Sequence, residues 1–422
     1  MNNKLILGCI ADDFTGASDA ASFLVKGGMQ TILFNGVPEE KELKETCQAI
    51  VIALKTRTQE TKAAVNDTLQ AARWLKEQGV QQIYVKYCST FDSTPQGNIG
   101  PIMDALLEEY GVRCTILCPA LPVNGRIVRH GHLYVNGIPL HESPMKNHPL
   151  TPMWDSEIAK LMEPQSKYPC LNISQEDYLL SQDSIADKLT AYGKEHEHFY
   201  IVPDYIHDED AQTIVNLFGS LPILSGGSGI LEELARQYTD SDLEPETVSA
   251  GTEGAGILLA GSCSEMTRRQ IAYAQSHDVA SMQIKPLALL HGEQTEDELW
   301  AFLEKEKGSQ ILLYSSDTPE TVKLIQQEGK EKVAELLEQT TAALAKRAVE
   351  AGYTRIIVAG GETSGAVTKA LNFDSYIIGE SVAPGVPVMI PRSNRQIRLV
   401  LKSGNFGQED FFIRALDITG ND

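Results

Sequence analysis

Short apolar runs alternate with stretches of helical pattern through the first 118 residues, and this alternation constrains the fold more than any other feature of the chain. Runs of strand length lie at 5–10, 31–34, 49–54, 82–85 and 114–118, with helical patterns at 17–27, 59–78 and 97–110 between them. Parallel strands need crossovers of about this length, so the pattern predicts a mostly parallel sheet flanked by helices. Residues 119–150 break the rhythm. Pro119, Pro122, Asn124-Gly125, His130-Gly131, Asn136-Gly137 and Pro139 punctuate them as hairpins and turns. The α/β pattern resumes with a helix near 183–196, a strand at 199–202, a helix near 208–219 and the apolar run 222–224.

A chain of 422 residues is longer than a single core usually grows, so two domains are expected. The acidic, proline-containing stretch 239–247 reads as the linker. It separates a first domain at 1–240 from a second at 255–422. The second repeats the α/β pattern, with strands at 257–260, 311–314 and 355–358, helices near 264–277 and 331–351, and β-like runs at 375–378, 386–390 and 397–401. The fold class is therefore α/β, in two domains, each a mostly parallel sheet flanked by helices.

Charge and cysteine usage narrow the function. A formal net charge of −21 argues against nucleic acid or an anionic membrane as partner. A small anion would need locally placed cations. Seven cysteines without a C-x-x-C spacing read as buried, reduced thiols, which points to the cytoplasm. The start, Met1-Asn2-Asn3-Lys4, lacks the charge and length of a signal peptide, and no window approaches a membrane span. His130, His132, His141 and His148 cluster in sequence, but no pair has metal-ligand spacing beside a carboxylate, and they read as loop or pocket-wall residues.

Chemistry concentrates where strands end. Behind the first strand stands Ala11-Asp12-Asp13-Phe14-Thr15-Gly16-Ala17-Ser18-Asp19, with three carboxylates and two hydroxyls at the start of a helix. One cap needs one such residue, Asp13 or Thr15, and the surplus marks a ligand site, since open α/β sheets bind at this edge. Lys55-Thr56-Arg57-Thr58 follows the third strand. Lys86-Tyr87-Cys88-Ser89-Thr90-Phe91-Asp92-Ser93-Thr94 follows the fourth, and its Asp92-Ser93-Thr94-Pro95 also has the form of a helix start. Asn124-Gly125-Arg126 follows the fifth, and Ser225-Gly226-Gly227-Ser228-Gly229 offers backbone amides to an oxyanion. Together these describe a pocket for a small polyhydroxylated anion, with Arg and Lys on a carboxylate and Asp and Asn on hydroxyls.

The second half carries glycine loops instead: Gly261-Ser262-Cys263-Ser264, Gly360-Gly361-Glu362-Thr363-Ser364-Gly365 and Lys402-Ser403-Gly404-Asn405-Phe406-Gly407. Three small-residue turns at helix starts in one domain indicate a nucleotide. No G-x-x-x-x-G-K-[ST] occurs, and Gly251–Gly256 precedes its strand, the wrong order for a dinucleotide fingerprint.

On Ala11–Asp19, Lys86–Thr94, Pro119–Arg126, Gly261–Thr267, Gly360–Gly365, Ala383-Pro384-Gly385-Val386-Pro387 and Leu401–Gly407, the chain resembles the four-carbon acid sugar kinase family over nearly its whole length. The wording of the substrate half, including Ser143-Pro144-Met145, leans to the branch that acts on 3-oxo-tetronate. The resemblance implies a sugar-acid domain and an ATP domain meeting across an active-site cleft, with Mg²⁺ bridging the phosphates. It implies phosphorylation of the 4-hydroxyl, giving 3-oxo-tetronate 4-phosphate and ADP. Asp12 and Asp13 are the candidates to orient or deprotonate that hydroxyl. Asp19, Lys55, Arg57, Lys86, Ser89, Asp92, Asn124 and Arg126 form the sugar-acid side. Ser262, Ser264, Gly360, Gly361, Glu362, Thr363, Gly404 and Gly407 form the ATP side. Val388 departs from the family, which has an aromatic there. D-threonate or D-erythronate as acceptor is the alternative within the family, and a non-catalytic binding regulator the alternative outside it. A homodimer is compatible with either.

Overall fold

Strands buried on both faces are written in mostly apolar residues, and the central strands of the first half follow that rule between their ends. In the computed structural model β1 (Leu7–Ala11), β3 (Ala49–Ala53) and β4 (Gln82–Lys86) are buried at every position. The structure describes residues 5–40, 42–43, 45–148, 150–239, 248–317 and 330–421. It divides into two units, Met1–Glu246 and Thr247–Asp422. Of the expected linker, residues 240–247 lie outside the described residues.

The first unit adds β2 (Thr31–Asn35), β5 (Cys114–Cys118), a hairpin subsheet of β6 (Arg126–Arg129), β7 (His132–Val135) and β8 (Ile138–Pro139), then β9 (Cys170–Ile173), β10 (Phe199–Pro203) and β11 (Ile223–Gly226). Its main sheet runs β2-β3-β1-β4-β11-β5-β10-β9, parallel throughout. The hairpins expected in 119–150 are β6–β8, tied to the end of β10 by the Val128–Tyr205 bridge. β9 carries no clear pattern because its polar Asn172 interrupts a short run.

Helix α1 (Phe14–Lys26) follows β1 and is buried from Gly16 through Leu24. Ala17, Ala20 and Ala21 let it lie close between β2, β3 and the helix Leu231–Arg236. Burying Phe23 and Leu24 contributes roughly 1.5–3 kcal/mol each. Chain order and strand order disagree at β1. α1 leads toward β2, while α2 (Thr61–Glu77) carries the chain from β3 back past β1 to β4. Such a reversal opens a crevice at the carboxyl ends of the strands beside it.

The second unit contains β12 (Ala255–Ala260), β13 (Ala280–Gln283), β14 (Ile311–Tyr314), β15 (Tyr353–Ala359), β16 (Ser375–Ala383), β17 (Val386–Pro391) and β18 (Arg398–Lys402). β13, β14, β12, β15 and β18 are parallel in that order, and β17 pairs antiparallel with both β18 and β16. Val388 lies in the core of this unit, opposite Val400, which explains why an aliphatic residue serves there. All seven cysteines are free; Cys9, Cys47 and Cys118 are buried, but Cys263 is exposed, against expectation, because it sits in a turn. No helix among the described residues is long and apolar enough to cross a membrane.

Candidate active site

Register aligns five strand ends of the first unit. Ala53, Ala11, Lys86, Gly226 and Cys118 form one row across β3, β1, β4, β11 and β5. The residues that follow them therefore emerge side by side at the reversal point. Gly226 has no room for a side chain, since a Cβ there would strike the Cys118 carbonyl, and one on Gly227 would lie 2.5 Å from Pro119 O. The glycines of 226–229 thus serve close strand packing. Of the amides the sequence offered to an oxyanion, that of Gly227 donates to Cys118 O at 3.0 Å.

Asp13 caps α1, its Oδ1 accepting from Gly16 N at 2.5 Å, and its Oδ2 pairs with Arg57 Nη1 at 2.9 Å. Arg57 also takes Asp12 in a fork, Nε to Oδ2 at 2.8 Å and Nη2 to Oδ1 at 2.9 Å. Arg57 is therefore held by the two leading aspartates. Gly16 closes the space between them, because a Cβ there would lie 2.6 Å from Asp13 Oδ1 and 3.4 Å from Lys86 Nζ.

Lys86 is 3% exposed. Its ammonium donates to Tyr87 O at 3.0 Å and faces Asp19 Oδ2 at 3.6 Å. Ser228 Oγ donates to that same Asp19 oxygen at 2.7 Å, while Asp19 Oδ1 is buried without a hydrogen-bond partner. Burial pushes the Asp12 carboxyl up, the Arg57 guanidinium opposes that, and the Asp13 charge adds to it. Burial likewise raises Asp19, against the pull of Lys86. Burial disfavours the Lys86 ammonium, but Asp19 and then Asp12 outweigh it and hold its pKa above the ordinary value.

Asp12, Thr56, Arg57, Lys86, Asp92 and Asn98 line one cavity of about 20 Å³, enough for one water. Asn98 carries no signal of a site in the sequence. It looks there like an ordinary helix-start residue, but its Nδ2 bonds Thr56 O at 2.6 Å and Gln59 O at 2.8 Å, and its Oδ1 is buried without a partner. The helix after β4 starts only at Ile99 with no side-chain cap, so 92–95 is not its start. Asp92 instead accepts from Thr90 Oγ1 at 2.6 Å.

Ser89 lies on the same edge, its Cβ 3.5 Å from where a Cβ on Gly227 would stand. Lys55 is exposed and stands outside the cavity that Asp12 lines. Arg126 follows the turn Pro122–Asn124. Its Nη1 donates to Asn124 O at 2.5 Å, and its Nε is buried without a partner.

The second unit aligns its ends in the same way: Tyr314, Ala260, Ala359 and Lys402 form one row across β14, β12, β15 and β18. Gly261, Gly360 and Ser403 come next. A Cβ on Gly261 would strike Thr363 Oγ1, one on Gly404 would strike Ser262 Oγ and lie 3.0 Å from Ser264 Oγ, and one on Gly360 would lie 3.1 Å from Ser262 N. Ser262, Ser264, Gly360, Thr363 and Gly404 are thereby brought together. Helix Gly361–Leu371 begins there without a side-chain cap, and Gly361 and Glu362 are exposed. Its first amides are free to meet an anion. Gly407 packs against the helix Phe411–Thr419. At φ 78° its Cα lies against Phe411, whose ring a Cβ would approach to 2.6 Å.

Two family models match the chain, a sugar-binding N-terminal domain over residues 7–234 and a nucleotide-binding C-terminal domain over residues 257–412. Their pairing defines a class of protein with a sugar-binding unit and a nucleotide-binding unit. The chain belongs to the four-carbon acid sugar kinase family. Among its relatives, a 3-oxo-tetronate kinase of Brucella melitensis is 42% identical, covering 99% of this chain and 96% of that one. A 3-oxo-tetronate kinase of Pectobacterium atrosepticum is 41% identical, covering 97% and 98%. A solved structure from Salmonella typhimurium superposes with a TM-score of 0.90 at 39% identity, covering 98% of this chain and 99% of that one.

Proposed function

We propose that the protein transfers the γ-phosphoryl group of ATP to the 4-hydroxyl of 3-oxo-tetronate, giving 3-oxo-tetronate 4-phosphate and ADP. The observation that carries this reading is the pair of aligned strand-end sites. Acids and cations gather at the reversal point of the first unit, and three glycine loops converge in the second. The 3-oxo-tetronate kinases that match the chain over nearly its whole length support the acceptor.

Phosphoryl transfer needs alignment and charge neutralisation more than covalent work by the protein. Asp12 is the better base of the two leading acids. Asp13 is engaged as a helix cap, whereas Asp12 is partly buried, and that desolvation moves its pKa upward from the ordinary carboxylate value. Arg57 holds the Asp12 carboxylate plane in place. Lys86 and Arg126 supply positive charge for the carboxylate of the acid, and Asp92 and Asn98 supply acceptors for its hydroxyls. Ser262, Ser264, the 360–363 turn and Gly404 hold the nucleotide. Mg²⁺ carried with ATP would neutralise the phosphates, held by the nucleotide itself, since no cluster of three His, Cys, Asp or Glu side chains among the described residues forms a metal site.

An ADP-release assay over 3-oxo-tetronate, D-threonate and D-erythronate tests the proposal. The highest kcat/KM is expected with 3-oxo-tetronate. A clear preference for either of the other acids moves the acceptor within the family. Binding of acid and nucleotide without ADP release replaces the enzyme with a binding regulator.

A further inference from the structure

Lys402 ends β18 and is 1% exposed, yet no carboxylate forms an ion pair with it among the described residues. Lys86, its counterpart at the end of β4, has Asp19. Among the described residues the contacts recorded at Lys402 are uncharged: β15 brings Ala359 in register, the helix Glu265–Ser276 brings Thr267, and the helix Phe411–Thr419 brings the Phe411 ring at 5.6 Å from Nζ. β17 and the helix Gly361–Leu371 also pack on β18, and burial is the cause that moves the Lys402 pKa. What surrounds the nitrogen is a set of three oxygens. Nζ donates to Thr267 Oγ1 at 3.1 Å, to Ser403 O at 3.2 Å and to Gly404 O at 2.8 Å. Thr267 has already given its own proton to Gly404 O, at 2.8 Å, and Ser264 Oγ donates to the same carbonyl at 2.7 Å. Three acceptors match the three protons of an ammonium, and a neutral amine would leave one of them facing a lone pair.

The two carbonyls drawn inward determine where the next amides point. In a trans peptide the C=O and the following N–H are antiparallel. With Ser403 O and Gly404 O turned toward Lys402, the amides of Gly404 and Asn405 are turned away from it, and Asn405 is exposed. Successive outward amides make an anion-binding concavity. The buried charge beneath them adds a field of the same sign.

Resting on the nucleotide reading of this unit, we propose that Lys402 is the positioning residue of the phosphate site: it sets the 403–407 loop with its amides outward, and the bound phosphates supply the negative partner that its buried charge otherwise lacks. Burial lowers the Lys402 pKa to about 7, so the ammonium is only partly populated near neutral pH when no anion is present. A phosphate at the loop favours the charged form, and nucleotide binding above that pH then takes up a proton.

The test is calorimetry of MgADP binding to the full chain at pH 8, in two buffers of different ionisation enthalpy, with wild type and Lys402→Met. The wild type is expected to take up most of one proton on binding. A folded Lys402→Met chain is expected to bind MgADP at least 10-fold more weakly and with no uptake. Wild-type binding without proton uptake overturns the proposal, as does a folded Lys402→Met chain with unchanged affinity. If that variant does not fold, the wild-type proton count decides alone. Failure of the wild type to bind MgADP at all overturns the nucleotide reading instead.

Discussion

Arg57 grips Asp12 with two parallel hydrogen bonds, at 2.8 and 2.9 Å, across 45 residues of sequence. A third contact, at 2.9 Å, ties the same guanidinium to Asp13. The sequence placed Arg57 on the substrate; the geometry gives it an internal partner first. A bidentate fork fixes the plane of a carboxylate as well as its position. That is what a base needs if it is to meet a hydroxyl at one defined angle.

Asp12→Asn is expected to lower kcat by about 10²–10⁴, the usual contribution of a positioned base, with nucleotide affinity unchanged. Steady-state rates and MgADP titration check it. Near-normal turnover would remove Asp12 from proton transfer.

Arg57→Met is expected to move the acidic limb of the kcat–pH profile to higher pH. Burial raises the Asp12 pKa and the guanidinium lowers it, so removing the guanidinium leaves the rise unopposed. The base form is then reached only at higher pH, and the rate at fixed pH on that limb falls. A limb that stays in place or moves to lower pH would show that Asp12 is not the titrating group.

Arg126→Ala is expected to raise the KM for the acid while leaving that for ATP unchanged. Its Nε is buried without a partner, and on the proposed reading the carboxylate of the acid is its acceptor. An unaltered acid KM would shift the carboxylate clamp to Lys86.

Gly226→Ala is expected to destabilise the first unit by about 1–3 kcal/mol, because the new methyl group meets strand backbone at Cys118. Gly365→Ala, with open space around it in the helix Gly361–Leu371, is expected to stabilise the second unit by about 0.5–1 kcal/mol. Urea melts of both variants supply the comparison. Equal effects would mean that close backbone approach is not what requires glycine at 226.

Much of the layout was legible in the chain. A strand buried on both faces has to be written in consecutive apolar residues, so 49–54 and 114–118 stand out within a residue or two of β3 and β5. The polar groups at their ends stand out for the opposite reason, since nothing in a core requires Asp12, Asp13 or Arg57. Short edge elements such as β9 and β13 do not stand out, because half-buried strands tolerate Asn172 and Gln283.

By itself, then, the sequence determined two α/β units, the strand ends at which polar groups gather, and the kinds of side chain placed there, because burial and periodicity are local properties of a run of residues. Which of those side chains face one another was decided by register and strand order. Only the folded sheet sets Lys86 beside Ala11, turns Arg57 onto Asp12, and encloses the Lys402 ammonium with three oxygens. Hydrogen bonds and charge pairs act over a few ångströms, and residues 45 or 135 positions apart come within that range only through tertiary structure.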